Sequence, residues 1–207
     1  MRLINTETLL LGDETFGGGI PKYAILSHAW AKEEVSFQEW LEPTATTKSK
    51  AGYIKLRDAC AVAFQKGHNW LWADTVCIDK TSSAELSEAI NSMYAWYRNS
   101  VECLVYLVDV EYTANDKRQS SEYPAYDKPP PSLDQFIASR WFTHGWTLQE
   151  LLAPPQLTFY DRSWQHLGSK SEYVDAITLA TGITRLDLRV NSIHDVPIAR
   201  RMSWIAD

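Results

Sequence analysis

The sequence predicts an α/β domain: a mostly parallel sheet of four to five strands flanked by helices, with a long insertion loop near 111–131. Three observations predict it. Segments 23–30, 70–78, 103–108 and 157–161 have the length and the apolar, aromatic and β-branched content of buried strands. Stretches of helical periodicity separate them. The strand-like segments also turn polar where they end, as strands do where a sheet opens onto a site.

The first strand, 23–30, runs from Tyr23 to Trp30 and becomes polar at Ser27 and His28. A short helix is expected over 37–41, and the Thr/Lys-rich stretch 42–50 reads as a loop. Tyr53, Leu56, Cys60, Ala63 and Phe64 then recur at helical spacing, and Gly67 supplies a stop. With the strand expected over 70–78 this completes a βαβ unit, which is parallel and right-handed in nearly every known case. Ser82 and Glu85 have the form of a capping box ahead of a helix ending near Asn99, with Leu86, Ala89, Ile90, Met93, Tyr94 and Tyr97 on one face. The third strand ends at Asp109. Beyond the loop, Ser132 would cap a short helix through Phe136 and Ile137. A further helix spans 146–152 and is stopped by Pro154-Pro155. After the fourth strand, 172–181 reads as a helix closed by Gly182.

Composition narrows the function classes. With 207 residues, 45% of them hydrophobic, one domain can bury a core without staples. The formal net charge of −6 and the lack of a basic run speak against nucleic-acid binding, which needs clustered Lys and Arg. Cys60, Cys77 and Cys103 form no CxxC pair, so neither a disulfide framework nor structural zinc is expected, and no metal ligand set is assigned. A reducing, cytoplasmic setting fits, and no segment has the length of a signal peptide or membrane span. No GxGxxG or Walker fingerprint is present.

Ligands of parallel sheets bind beyond the carboxyl ends of the strands. That rule gathers Ser27, His28, Trp30, Asp74, Cys77, Asp79 and Asp109 on one rim. Each has a plain alternative. His28 could bind phosphate or ribose, or satisfy a loop carbonyl. A Ser27–His28 nucleophilic pair is not expected, because neighbours on a strand point to opposite faces. Asp74 could orient a ribose or hold its loop; Cys77 is better read as packing than as a nucleophile, for want of an activating cation. Of the nine tryptophans, Trp30, Trp141 and Trp146 stand where a ring could stack on a planar ligand, with core packing as the alternative.

Four stretches taken together resemble a known family. They are Ala24-Ile25-Leu26-Ser27-His28-Ala29-Trp30; Trp72-Ala73-Asp74-Thr75-Val76-Cys77-Ile78-Asp79-Lys80; Glu88-Ala89-Ile90-Asn91-Ser92-Met93-Tyr94-Ala95-Trp96-Tyr97; and Arg140-Trp141-Phe142-Thr143-His144-Gly145-Trp146-Thr147-Leu148-Gln149-Glu150-Leu151-Leu152. In this order they closely resemble the HET, or heterokaryon-incompatibility, domain of filamentous fungi, over nearly the whole chain. The resemblance implies a cell-death effector of non-self recognition, fused or coupled to a nucleotide-binding oligomerisation receptor. It also implies a TIR-like, flavodoxin-like fold. The block around Trp146-Thr147-Leu148-Gln149-Glu150-Leu151 is similar to the TIR helix that bears a catalytic glutamate. On that analogy Glu150 is the catalytic residue of an NAD-cleaving enzyme, with NAD a substrate and no separate cofactor. Ser27, His28, Trp30, Asp74, Asp79, Trp141 and Trp146 would then bind substrate. Family members usually continue past an Arg-Met-Ser-Trp motif such as Arg201–Trp204, so a single HET domain over 1–207, cut within its usual boundary, is expected.

Glu150 also has a structural reading. Thr147 and Glu150 have capping-box spacing, and a carboxylate bonded to its own helix terminus would stay ionised. Two functions of different class follow. One is a nucleotide-cleaving enzyme in which an ionised Glu150 faces a ribose. The other is a non-enzymatic, self-associating signalling module that recruits death effectors.

Overall fold

The computed structural model describes residues 1–12, 19–112 and 133–189. Its sheet has seven strands: β1 (Leu3–Asn5), β2 (Leu11–Gly12), β3 (Ala24–His28), β4 (Trp70–Trp72), β5 (Glu102–Tyr106), β6 (Leu157–Tyr160) and β7 (His166–Ser169), ordered β2-β1-β4-β3-β5-β6-β7. The central strands β4, β3, β5 and β6 are parallel and correspond to the four strands expected from sequence. The margins are antiparallel: β1 pairs with β2 and β4, and β7 with β6. The sheet is thus mixed rather than mostly parallel. The marginal strands are two to four residues long, too short to show a period in sequence.

In chain order the parallel strands lie 2-1-3-4. Connections leave β3 toward β4 and return across it to β5, so the order reverses between β3 and β5. A crevice opens at the carboxyl ends of strands at such a point. Register fixes which side chains face which layer. Ser27 pairs with Val105 and Val105 with Phe159 on one face; His28 pairs with Tyr106 on the other. The first face is covered by α5 (Ser83–Asn99), α6 (Leu133–Ile137), α7 (Thr147–Leu152) and α8 (Val174–Thr181). There Trp72 meets Trp96 and Tyr97, and Phe159 meets Phe136, Trp141 and Tyr173. The opposite face carries α3 (Ala51–Gln65) with buried Leu56, Ala59, Cys60 and Ala63. The remaining helices are short: α1 (Phe37–Leu41), α2 (Ala45–Ser49) and α4 (Asp74–Cys77).

Three local expectations change. The stretch 42–50 is not all loop: Thr44 accepts a hydrogen bond from the Thr47 amide and caps α2. The strand expected over 70–78 stops at Trp72, and the chain turns into α4, where the Cys77 amide donates to the Ala73 carbonyl at 2.9 Å. Thr75 and Val76, β-branched and apolar, mimic a strand in sequence. The Ser82 cap is half of a box: its hydroxyl accepts from the Glu85 amide, but the Glu85 carboxylate turns to the Asp79 amide and to Arg2. The expected insertion loop lies outside the described residues except for Glu111 and Tyr112, and so do Ser132 and Arg201–Trp204.

Candidate functional site

A cavity of about 460 Å³ opens at the carboxyl ends of the strands. Its walls are mostly apolar, from Leu86, Ile90 and Met93 of α5, Ile78, and Trp146 before α7. A few polar groups converge on it: Glu150, Tyr97, His28, Asp74 and Lys80. Mostly apolar walls with a few placed polar groups are the usual make-up of a small-molecule site.

Glu150 comes from the first turn of α7. Its Oε2 accepts a hydrogen bond of 2.5 Å from the Ser27 hydroxyl, and its Oε1 one of 2.9 Å from the Tyr97 hydroxyl. Ser27 in turn accepts from Trp141 Nε1 at 2.7 Å. The carboxylate is therefore held by donors from β3 and α5, with Trp141 behind. The capping explanation fails. Thr147 already lies inside the helix, Trp146 before it has helical dihedrals, and no side chain caps this end. The Thr147 hydroxyl instead donates to the Trp141 carbonyl at 2.5 Å, tying α7 to the turn at Arg140–Thr143.

The electrostatics also revise the expected charge state. Burial pushes the Glu150 carboxyl up from 4.5 to about 7; the hydrogen bonds from Ser27 and Tyr97 oppose this, and the nearby Asp74 charge adds to it. A carboxyl pushed toward 7 has both forms within reach near neutrality, where it can take or give a proton. Tyr97 is raised well above its usual range by burial and by Glu150, so it donates as a neutral phenol.

His28 points to the other face of β3, as strand geometry requires. Its Nε2 lies 3.8 Å from Glu34 Oε2 and 3.9 Å from Asp74 Oδ1. Both distances are too long for hydrogen bonds, and neither ring nitrogen has a hydrogen-bond partner among the described residues. Burial, then Lys55 and Lys80, holds the imidazole well below its ordinary value, so the ring is neutral. Glu34 is engaged by Lys55 at 2.6 Å. It is presented by a loop whose backbone at Glu33 and Glu34 touches Gly52, leaving no room there for a Cβ.

Asp74 stands at the true end of β4 because the chain turns into α4 there. Its Oδ2 accepts from Trp30 Nε1 at 2.9 Å and from Lys80 Nζ at 3.3 Å. Burial raises Asp74 and lowers Lys80, each partly offset by the other. Desolvation thus outweighs pairing on both sides of this ion pair.

The expected binding set separates into three groups. His28, Trp30, Asp74, Trp146 and Glu150 line the cavity, with Trp30 and Trp146 about half exposed at its mouth. Ser27 and Trp141 are almost fully buried and orient Glu150; Trp141 packs edge-on against Phe142 and Phe159 with only part of its surface on the cavity wall. Asp79 does not belong. It accepts from Gln38 and from the amide and hydroxyl of Thr81, forming a turn away from the cavity. The early end of β4 at Trp72 places Asp79 past α4 rather than at a strand end. Cys77 is buried with its thiol pushed up to about 12, chiefly by burial, and Asp109 caps the turn at Arg140–Thr143 through Ser139 Oγ and the Arg140 amide. The sequence did not single out Tyr97, Lys80 or Arg140. Tyr97 read as one more apolar position of α5, and Arg140, which donates to the Trp30 carbonyl at 2.6 Å, stood only as the first residue of the fourth motif. Among the described residues no cluster of three or more His, Cys, Asp or Glu could hold a metal ion, and no helix is long and apolar enough to cross a membrane.

Comparison with known sequences adds two findings. A model of the family described as Heterokaryon incompatibility protein (HET) matches residues 23–150. The chain is also similar to the Vegetative incompatibility protein HET-E-1 of Podospora anserina, with 41% identity over 190 residues, covering 91% of this chain and 13% of that protein. No solved structure matches.

Proposed function

The chain belongs to the heterokaryon-incompatibility (HET) family, and from that premise we propose that it is a death-effector domain of heterokaryon incompatibility that cleaves the nicotinamide–ribose bond of NAD or a related nucleotide. The observation that carries the reading is the buried Glu150 carboxylate, fixed by Ser27 and Tyr97 on the wall of an apolar cavity at the strand-order reversal. The 2-1-3-4 order of the parallel strands supports a TIR-like core.

Cleavage breaks the bond between the ribose C1′ and the pyridinium nitrogen. The electron pair leaves with nicotinamide, which departs neutral and needs no acid. The ribose passes through an oxocarbenium-like state, and an ionised Glu150 stabilises that charge as a carboxylate does in glycoside hydrolysis. Water then adds to C1′, and its proton passes to a base; a carboxylate whose pKa lies near 7 suits that task. Trp30 and Trp146 offer ring faces at the mouth, and His28 and Asp74 offer polar contacts to the sugar.

The chain covers 13% of its relative's length, which fits an effector domain carried on a larger receptor that assembles it. Self-association and a cytoplasmic setting belong to the same proposal; the three buried free cysteines accord with the latter. The test is direct: purified protein is incubated with NAD and free nicotinamide is followed. Release that requires Glu150 supports the reading. No release in either dispersed or assembled protein, or release unchanged in Glu150→Gln, overturns it.

A further inference from the structure

The side chain of Lys80 occupies an unusual place in the cavity. Its ammonium lies 3.5 Å from the centre of the Trp30 ring and 3.3 Å from Asp74 Oδ2. Trp30 is itself fixed: its Nε1 donates to the same carboxylate oxygen, and Arg140 holds its carbonyl. An aromatic face and a carboxylate meeting at a right-sized gap form a seat for a cation. Lys80 fills that seat from within the chain and covers one face of the ring.

The seat is built rather than incidental. Asp74 is placed by the early end of β4, which turns its carboxylate toward the cavity. On its other side Asp74 Oδ1 faces His28, a side chain 1% exposed whose two ring nitrogens have no hydrogen-bond partner among the described residues. The polar end of the cavity thus holds hydrogen-bonding capacity that the protein leaves unused, beside a carboxylate matched to positive charge. Among the described residues, Lys55 is committed to Glu34 at 2.6 Å and Arg140 to the Trp30 carbonyl, which leaves Lys80 as the cation resting on both Trp30 and Asp74.

We propose that Trp30 and Asp74 form a subsite selective for a cationic planar ring, such as a pyridinium, and that Lys80 is its resident occupant, which the ligand must displace. The proposal deepens the nucleotide-cleaving reading and rests on it for the identity of the natural ligand. It adds that the oxidised, positively charged form of a pyridine nucleotide is recognised through its charge, and that Lys80 sets a threshold for binding.

The test uses two small probes and needs no turnover: 1-methylnicotinamide, whose methylated ring nitrogen makes it a cationic ring, and nicotinamide, its neutral counterpart. Binding to the protein and to Lys80→Met is read at pH 8 by quenching of tryptophan fluorescence. Emptying the seat is expected to tighten the cation about fivefold, the scale of one partly desolvated cation–π contact, while nicotinamide changes less than about twofold. Equal tightening of both probes would mean that Lys80 is only a steric block, and no change or weakening would mean that it is not the occupant; either overturns the proposal. Should Lys80→Met fail to fold by circular dichroism, Asp74→Asn decides: the cation-to-neutral affinity ratio is expected to fall about fivefold, and an unchanged ratio refutes the subsite. A chain that shows this selectivity yet releases no nicotinamide from NAD would keep the subsite and lose the cleavage reading.

Discussion

Glu102 and Glu150 are the same residue type at opposite ends of one sheet, and the chain treats them in opposite ways. Glu102 opens β5 at its amino end, 5% exposed, and accepts from Lys66 at 2.6 Å, from Thr158 at 2.5 Å and from His68 across 3.1 Å. Burial alone would raise its pKa, but Lys66, Thr158 and His68 together bring it below the ordinary value. Glu150, at the carboxyl end, has two hydroxyl donors and, among the described residues, no cation in contact, and burial wins. The difference separates a carboxylate that ties elements together from one kept at a cost to stability. Groups of the second kind collect where chemistry is done.

Activity gives the largest contrast. Glu150→Gln is expected to reduce nicotinamide release from NAD by about a thousandfold, the usual scale for losing a charge-stabilising or proton-transferring group. Glu102→Gln, once folded, should stay within about threefold of the parent, because nothing at the amino end reaches the cavity. Similar losses in both would break the distinction.

Stability should move the other way, and with pH. The folded pKa of Glu150 is raised to about 7 from 4.5, so its favourable contribution is complete below about 4.5 and is lost as pH rises through about 7. Above that range the ionised group costs on the order of 3 kcal/mol. Glu150→Gln should therefore raise the melting temperature at pH 8 and lose that advantage at pH 4 in thermal melts. A variant that is destabilised at both pH values would show that Glu150 is structural after all.

Glu102 has a lowered folded pKa, so its contribution is present at neutral pH and disappears as pH falls through that pKa. Glu102→Gln should cost about 2 kcal/mol at pH 7, less than a fully buried pair because Lys66 is partly exposed. Urea denaturation at pH 7 and at pH 3.5 would measure both, and a cost that does not shrink in acid would contradict the ion-pair account.

The smallest effect tests the hydroxyl clamp. Tyr97→Phe removes a hydrogen bond that favours the ionised form of Glu150. The acid limb of the pH–rate profile should move to higher pH, with a loss of about fivefold at pH 7. A uniform loss of rate with an unmoved limb would mean that Tyr97 acts through packing alone.

Much of this was legible in the residues, for stated reasons. The four parallel strands are apolar on both faces because helices cover both, and such runs stand out in sequence. Glu150 was reachable through the motif around Trp146–Leu151, though its rival explanation as a cap could not be dismissed without coordinates: Thr147 and Glu150 have the right spacing, and only the helix start at Thr147 shows that the box is not formed. Asp79 was misplaced and Lys80 overlooked through one error, the length of β4. A β-branched, apolar stretch does not reveal where a strand becomes a helical turn.

By itself, then, the sequence determined the alternation of strands and helices, the family and the identity of the central carboxylate. These rest on local pattern and on motifs that survive without coordinates. The tertiary structure decided the antiparallel margins, which residues line the cavity and the direction in which burial pushes the Glu150 carboxyl. Each depends on contacts between residues far apart in the chain: Ser27 with Glu150 across 123 positions, Tyr97 with Glu150 across 53. A pKa is set by what surrounds a group in space, and spacing along the chain carries no record of it.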